Sequence, residues 1–244
     1  MDTRNNKMKE GQMKLLGKTV LVTGASDGIG RSIAVQLAKQ KANLVIFGRD
    51  ESKLANVKQL CESEGVEVKT YAFDLTDGDK RDEVVADILQ TCQIDALVNN
   101  AGIWHKASDL TELSEEKIQE VISVNLTSQM LLTRGFLANM RGRETAIINI
   151  ISSAGMVAKA GRTAYAASKF GLRGFTDALR EDTKDEPIRV AAVFQGGTRT
   201  QLFAKAGEEM PIEKYTEPDD LADVIVFMLS RPPKIWLNEI QVSY

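Results

Sequence analysis

Short apolar, β-branched runs alternate with longer amphipathic segments along nearly the whole chain, and few folds accommodate that rhythm. The runs lie at residues 19–23, 44–47, 66–73, 96–98, 146–151, 190–194 and 239–242. Their lengths and the turn-forming residues around them predict seven strands. Helical patterns fill the intervals, at residues 30–40, 51–64, 79–92, 114–140, 163–185 and 218–230. A helix between two strands returns the chain to the same edge, so successive strands run parallel and helices cover both faces. The expectation is an α/β fold: a single doubly wound domain with a seven-stranded parallel sheet and helices on both faces. Ser114, followed by Glu115 and Glu116, and Pro218 after Glu217 mark two of the helix starts.

At 244 residues the chain suffices for one large α/β domain or two small ones, and no linker divides it. Residues 18–244 therefore read as one domain, preceded by a polar, disordered extension at 1–17. The formal net charge of -3 gives no electrostatic footprint for nucleic acid. No apolar run long enough to cross a membrane is present, and the opening lacks the apolar stretch of a signal peptide. Cys61 and Cys92 both fall in expected helices without a metal-spaced partner, so no metal is expected and a reducing cytoplasm fits.

The first strand runs into Thr23-Gly24-Ala25-Ser26-Asp27-Gly28-Ile29-Gly30 and then a helix. Glycines let the main chain turn sharply and approach a pyrophosphate, which free amides and the positive helix end stabilise. This order predicts dinucleotide binding through Gly24, Ser26, Asp27, Gly28, Ile29 and Gly30; a mere tight turn is the weaker reading. The second strand ends at Phe47-Gly48-Arg49-Asp50. Arginine at this point neutralises a ribose 2′-phosphate, whereas an acidic residue bonds the ribose hydroxyls. Arg49 comes first, favouring NADP(H) over NAD, and Asp50 reads as the cap of the following helix.

Tyr165 and Lys169 stand four residues apart on an expected helix, hence on one face, and Ser152 precedes the tyrosine by thirteen. A free phenol titrates near ~10, so proton exchange at neutral pH needs that value brought down by about three pH units, roughly 4 kcal/mol. A neighbouring ammonium supplies part of it. Taken alone, the pair is equally an ordinary amphipathic helix contact.

Together these residues resemble the short-chain dehydrogenase/reductase family over residues 18–242, on a Rossmann-like fold. The glycine loop matches the family's Thr-Gly-x-x-x-Gly-x-Gly, Asp74-Leu75 its adenine-contacting aspartate, and Asn99-Asn100-Ala101-Gly102 the segment after the fourth strand. Asn125 matches the asparagine of a catalytic tetrad completed by Ser152, Tyr165 and Lys169. The resemblance implies that Tyr165 is the general acid and base and that Ser152 bonds the substrate carbonyl. It implies that Lys169 holds the nicotinamide ribose while lowering the tyrosine's pKa, and that Asn125 anchors a water feeding Lys169. Asp74, Leu75, Asn100, Ala101 and Gly102 are implied to touch the cofactor, as are Gly196, Thr198 and Thr200. The implied activity is NADP(H)-dependent interconversion of a ketone or aldehyde with an alcohol, as a carbonyl reductase or hydroxy-acid dehydrogenase. A catalytically silent NADP-binding sensor or scaffold, an NAD-dependent alcohol dehydrogenase, and an epimerase or dehydratase remain as alternatives. A homo-oligomer, tetramer or dimer, is implied as well. One departure stands out: Gln195 occupies the place where the family usually has proline before Gly196.

Other residues carry two readings each. His105, the only histidine, either touches substrate or is a solvated loop residue, the latter preferred. Trp104 walls a pocket or simply packs. Glu208 and Glu209 lie in a segment that forms a lid in the family, yet read as solvent-facing. Small residues at Ala164, Ala167, Gly171, Gly174 and Ala178 admit either a symmetric partner or a helix of the same chain. Trp236 reads as a packing or interface residue.

Overall fold

The computed structural model describes residues 15–232, 234–235 and 237–243. Residues 1–14 of the expected extension, and Trp236, lie outside the described residues. Leu15 is buried in the core and the Gly17 amide donates to the Lys41 carbonyl, so the packed chain takes in 15–17 as well.

Seven strands form one sheet: β1 (Thr19–Val22), β2 (Asn43–Gly48), β3 (Val68–Ala72), β4 (Ala96–Asn99), β5 (Thr145–Ile150), β6 (Ile188–Gln195) and β7 (Glu239–Val242). Their order is β3-β2-β1-β4-β5-β6-β7 with every pair parallel. The chain starts in the middle, winds outward through β3, then crosses back to β4 beside β1. The point where winding reverses opens a crevice at the carboxyl ends of the strands, where such folds place ligands.

Alternation along β1 sends Val20 and Val22 to one face and Leu21 to the other. The first face is covered by α1 (Gly28–Lys39), α2 (Glu51–Glu62) and α7 (Pro218–Leu229), through Ile33, Leu37, Leu54, Leu221 and Ile225. The second is covered by α3 (Gly78–Thr91), α5 (Ser128–Met140) and α6 (Thr163–Asp182), through Val84, Ile88, Leu132, Phe136 and Leu179. Each fully buried Leu, Ile or Val contributes about 1.5–3 kcal/mol relative to exposure, so both layers are held by burial and not by surface ion pairs. Among the described residues no helix is long and apolar enough to cross a membrane.

The pattern at 114–140 predicts one helix, but the chain forms α4 (Glu115–Ile122), a π-helical turn (Ser123–Thr127) and α5. The extra residue in that turn carries Asn125. Cys92 is not helical; it is extended and caps α3.

Candidate active site

The crevice is a cleft of about 520 Å³ running across the strand ends. Its floor at the β1 end is the glycine loop. Gly24 has φ +67, and a Cβ there would lie 2.9 Å from the Ala101 Cα; a Cβ on Gly30 would lie 2.3 Å from the Gly24 carbonyl oxygen. Only glycine permits that approach. Thr23 and Asn100 lock the turn: the Thr23 hydroxyl accepts from the amides of Asn100 and Ala101, and Asn100 Nδ2 donates to the Thr23 carbonyl at 2.8 Å. Asp27 caps α1 by accepting from the Gly28 amide and lies 3.2 Å from Lys205 and 3.5 Å from Lys53. Burial opposes ionisation of Asp27, yet Lys205, the Gly28 amide and Lys53 together hold it below the usual carboxylate value.

Gly24, Ser26, Asp27, Gly28, Ile29, Asn100, Ala101 and Gly102 all line the cleft, while Gly30 lies beneath it. Arg49, Asp74 and Leu75 line its β2–β3 end. The Arg49 side chain is 64% exposed, with only a 4.0 Å approach to Asp74, so its charge is available to a ligand. Asp50 caps α2, accepting from the Lys53 amide at 3.0 Å. Thr200 lines the cleft beside the glycine loop, but Gly196 and Thr198 do not. The Gly196 amide is spent on the Val242 carbonyl, and Thr198 is buried in a bridge to Thr216. Gln195 lines the cleft in their stead.

At the β5 end, Tyr165 and Lys169 project from the first turns of α6 and are both buried. Ser152, just beyond β5, accepts from the Ala154 amide with its hydroxyl at 3.2 Å and lies close enough to Tyr165 to favour the phenolate. Its backbone sits at φ 113, ψ 151, a region that side chains rarely tolerate. Lys169 Nζ donates to the Ile150 carbonyl at 3.1 Å and stands 5.8 Å from the Tyr165 ring centroid. Burial brings Lys169 from 10.5 to about 8. Tyr165 goes the other way: burial raises its pKa, and the Ser152 hydrogen bond and the Arg162 charge pull it partly back. The lysine ammonium is turned toward the carbonyl at the end of β5.

Asn125 is fully buried, and its side chain is committed. Oδ1 accepts from the Ile103 amide at 2.8 Å, while Nδ2 donates to the Ile103 carbonyl at 3.0 Å and to the Ser168 hydroxyl at 3.2 Å. Asn125 therefore ties the loop after β4 to α6, next to Tyr165. A π turn places it there without breaking the helix, a device common at functional sites.

Two residues, His105 and Glu208, differ from the preferred readings, while Trp104 both lines the cleft and packs. His105 is buried, not solvated; its Nε2 accepts from the Tyr165 amide at 3.3 Å and its Nδ1 lies 3.0 Å from the Lys106 carbonyl. It caps α6, whose own N-cap residue Arg162 supplies no side-chain bond. Trp104 is buried against Tyr165, with ring centroids 4.5 Å apart, and against Phe203 at 5.1 Å. Glu208 is not merely solvent-facing: it accepts from Trp104 Nε1 at 2.6 Å and from the Ala107 amide at 3.2 Å, fastening residues 200–210 over the tyrosine. The small-residue face of α6 is split. Gly171 packs on Leu126 of the same chain, whereas Ala167, Phe170, Gly174 and Ala178 form an exposed stripe.

Comparison with known proteins agrees with this geometry. Residues 18–211 match the model of the short chain dehydrogenase family. A 3-oxoacyl-(acyl-carrier-protein) reductase of Thermotoga maritima is 33% identical, covering 89% of this chain and 92% of its own. A D-beta-hydroxybutyrate dehydrogenase of Cupriavidus necator is 32% identical, covering 88% and 92%. Among solved structures, a metagenomic short-chain oxidoreductase in complex with NADP is 32% identical with a TM-score of 0.83, covering 94% and 98%. An alcohol dehydrogenase of Thermococcus sibiricus complexed with 5-hydroxy-NADP is 26% identical with a TM-score of 0.85, covering 92% and 95%.

Proposed function

We propose that this chain, which belongs to the short chain dehydrogenase family, is an NADP(H)-dependent oxidoreductase that interconverts a ketone or aldehyde and an alcohol. The observation that carries the reading is a buried Tyr165, with Ser152 and Lys169 close by, at one end of a cleft whose middle is an anion cradle and whose far end presents Arg49. The residues suit the cofactor: glycines bare the backbone to a pyrophosphate, α1 points its amino end there, and an exposed guanidinium stands where a 2′-phosphate is read. NADP in the metagenomic relative and 5-hydroxy-NADP in the Thermococcus sibiricus one support the same choice.

When bound, NADP(H) supplies or accepts the hydride. Tyr165 and Ser152 handle the oxygen. A carbonyl oxygen between them gains negative charge as the carbon is reduced; the Ser152 hydroxyl stabilises it and the Tyr165 phenol protonates it. Lys169, with a pKa of about 8, is largely ammonium at neutral pH and holds a proton one helical turn away. His105 and Asn125 keep α6 and the loop after β4 in register, so the tyrosine stays aimed.

Trp104 and Phe203 close over Tyr165, with Ala154, Leu202 and Ala206 completing an apolar wall. Of the substrates in the relatives' names, a short hydroxy acid suits this space better than a carrier-bound acyl chain. Arg162 stacks on Trp104, 5.0 Å from its ring centroid, and braces that wall. The reading carries a cytoplasmic setting and a dimer or tetramer, with the exposed stripe of α6 as one candidate contact.

Fluorescence titration with NADPH and NADH, on wild type and Arg49→Ala, tests the cofactor. NADPH should bind more tightly, and the variant should lose about tenfold or more for NADPH alone, the scale of one charge-assisted hydrogen bond. Equal losses for both dinucleotides would remove Arg49 from the 2′-phosphate.

A further inference from the structure

Gln195 is the last residue of β6, and its Oε1 is sealed from solvent and accepts no hydrogen bond from any described residue. A buried acceptor left unmet is destabilising and calls for an explanation. The other such atoms among the described residues are Arg81 Nε, Asn99 Oδ1 and Gln129 Oε1, and none of their residues lines the cleft. Gln195 does, together with Ile150, Tyr165 and Lys169. Arg49 and Asp74 follow β2 and β3, on the other side of β1 and β4. Whatever meets Gln195 therefore belongs to the reacting end of the ligand and not to its adenosine end.

Given the NADP(H) reading above, on which this rests, the reacting end is a nicotinamide ring with a carboxamide. Its NH2 group is a donor that needs an acceptor in a dry site. A proline at this position, usual in the family, has no side-chain acceptor. We infer that Gln195 Oε1 accepts a hydrogen bond from the nicotinamide carboxamide, making Gln195 a cofactor-orienting residue that presents the ring to Tyr165. The carboxamide in turn satisfies the acceptor that the free protein leaves unmet.

Calorimetric titration of wild type and Gln195→Met, which keeps the length and removes the amide, tests this with three ligands. They are NADPH, its 3-acetylpyridine analogue with a methyl in place of the carboxamide NH2, and the nicotinamide-free 2′-phospho-ADP-ribose. Wild type should bind NADPH about tenfold more tightly than the acetyl analogue, the scale of one buried hydrogen bond. Gln195→Met should lose about tenfold for NADPH and under about twofold for the other two, and should melt higher without ligand because the unmet acceptor is gone. The inference is overturned by a variant that binds NADPH like wild type, by equal losses for all three ligands, or by a wild type indifferent to the acetyl substitution, a comparison that needs no variant to fold. A wild type that binds none of the three would instead remove the NADP(H) reading beneath it.

Discussion

Ser152 offers a way to separate what its hydroxyl does from what its backbone costs. At φ 113 and ψ 151 it occupies a region natural to glycine, between the end of β5 and the 3-10 turn Ser153–Gly155. Such a conformation costs about 1–3 kcal/mol for a residue with a Cβ. Ser152→Ala and Ser152→Gly both delete the hydroxyl and its bond to the Ala154 amide at 3.2 Å, so that loss cancels between them. What remains is the relieved strain in the glycine variant, less the about 0.5–1 kcal/mol that glycine loses in chain entropy. Ser152→Gly should therefore be more stable than Ser152→Ala by about 1 kcal/mol, the difference between the midpoints of those two ranges. Urea unfolding of the two variants reads that difference. Both should lose turnover alike, by about 10²–10³, as when one donor to a developing oxyanion is removed. An alanine variant as stable as the glycine variant would refute the strain, and with it the idea that the backbone is bent to aim the hydroxyl at Tyr165.

Lys169 ties stability to pH. Its fall from 10.5 to about 8 on burial makes the folded chain hold the proton less well than the unfolded chain. Below pH 8 the whole cost, about 3 kcal/mol at 1.36 kcal/mol per pH unit, is present; between 8 and 10.5 the unfolded chain binds more protons and stability rises with pH. Lys169→Met should be the more stable protein at pH 7, by urea unfolding, and its advantage should shrink through that window; a constant gap would contradict the burial argument. Trp104→Leu should widen the wall over Tyr165 and shift relative kcat/KM toward bulkier ketones by about tenfold or more, since one methylene of room in an apolar pocket is worth about 1–3 kcal/mol. An unchanged size profile would show that Trp104 does not border the substrate.

Much of the scaffold was legible because strand and helix periods differ and both layers are buried. The expected strand at 96–98 is β4 short of one residue, and that at 239–242 coincides with β7. Asp50 could be read as a cap because aspartate before Glu51 has a local partner, the Lys53 amide. The π turn at Asn125 left no such mark. Buried positions Val121, Asn125, Ser128, Leu132, Phe136 and Met140 keep near-helical spacing straight through it, so apolar periodicity cannot reveal the extra residue. His105, Trp104 and Glu208 were obscure for a different reason. Their burial depends on residues 60 to 104 positions away packing against the loop after β4, and loops carry no period from which to infer a partner. The charge on Glu208 argued for solvent, yet an indole N–H and a main-chain amide were its partners. Gln195 could be seen as a departure from the family pattern, but only the structure shows that its buried Oε1 is an unmet acceptor on a residue lining the cleft.

The most direct measurement is NADPH oxidation by wild type and Tyr165→Phe across a panel of small ketones and 3-oxo acids, with NADPH affinity measured on the same samples. Turnover by wild type, lost in a variant that still binds NADPH, is the expected result, because only the proton-donating hydroxyl has been removed. Retained turnover in Tyr165→Phe, or a wild type that binds NADPH yet reduces nothing in the panel, would contradict the proposal that Tyr165 is the acid of a carbonyl reductase.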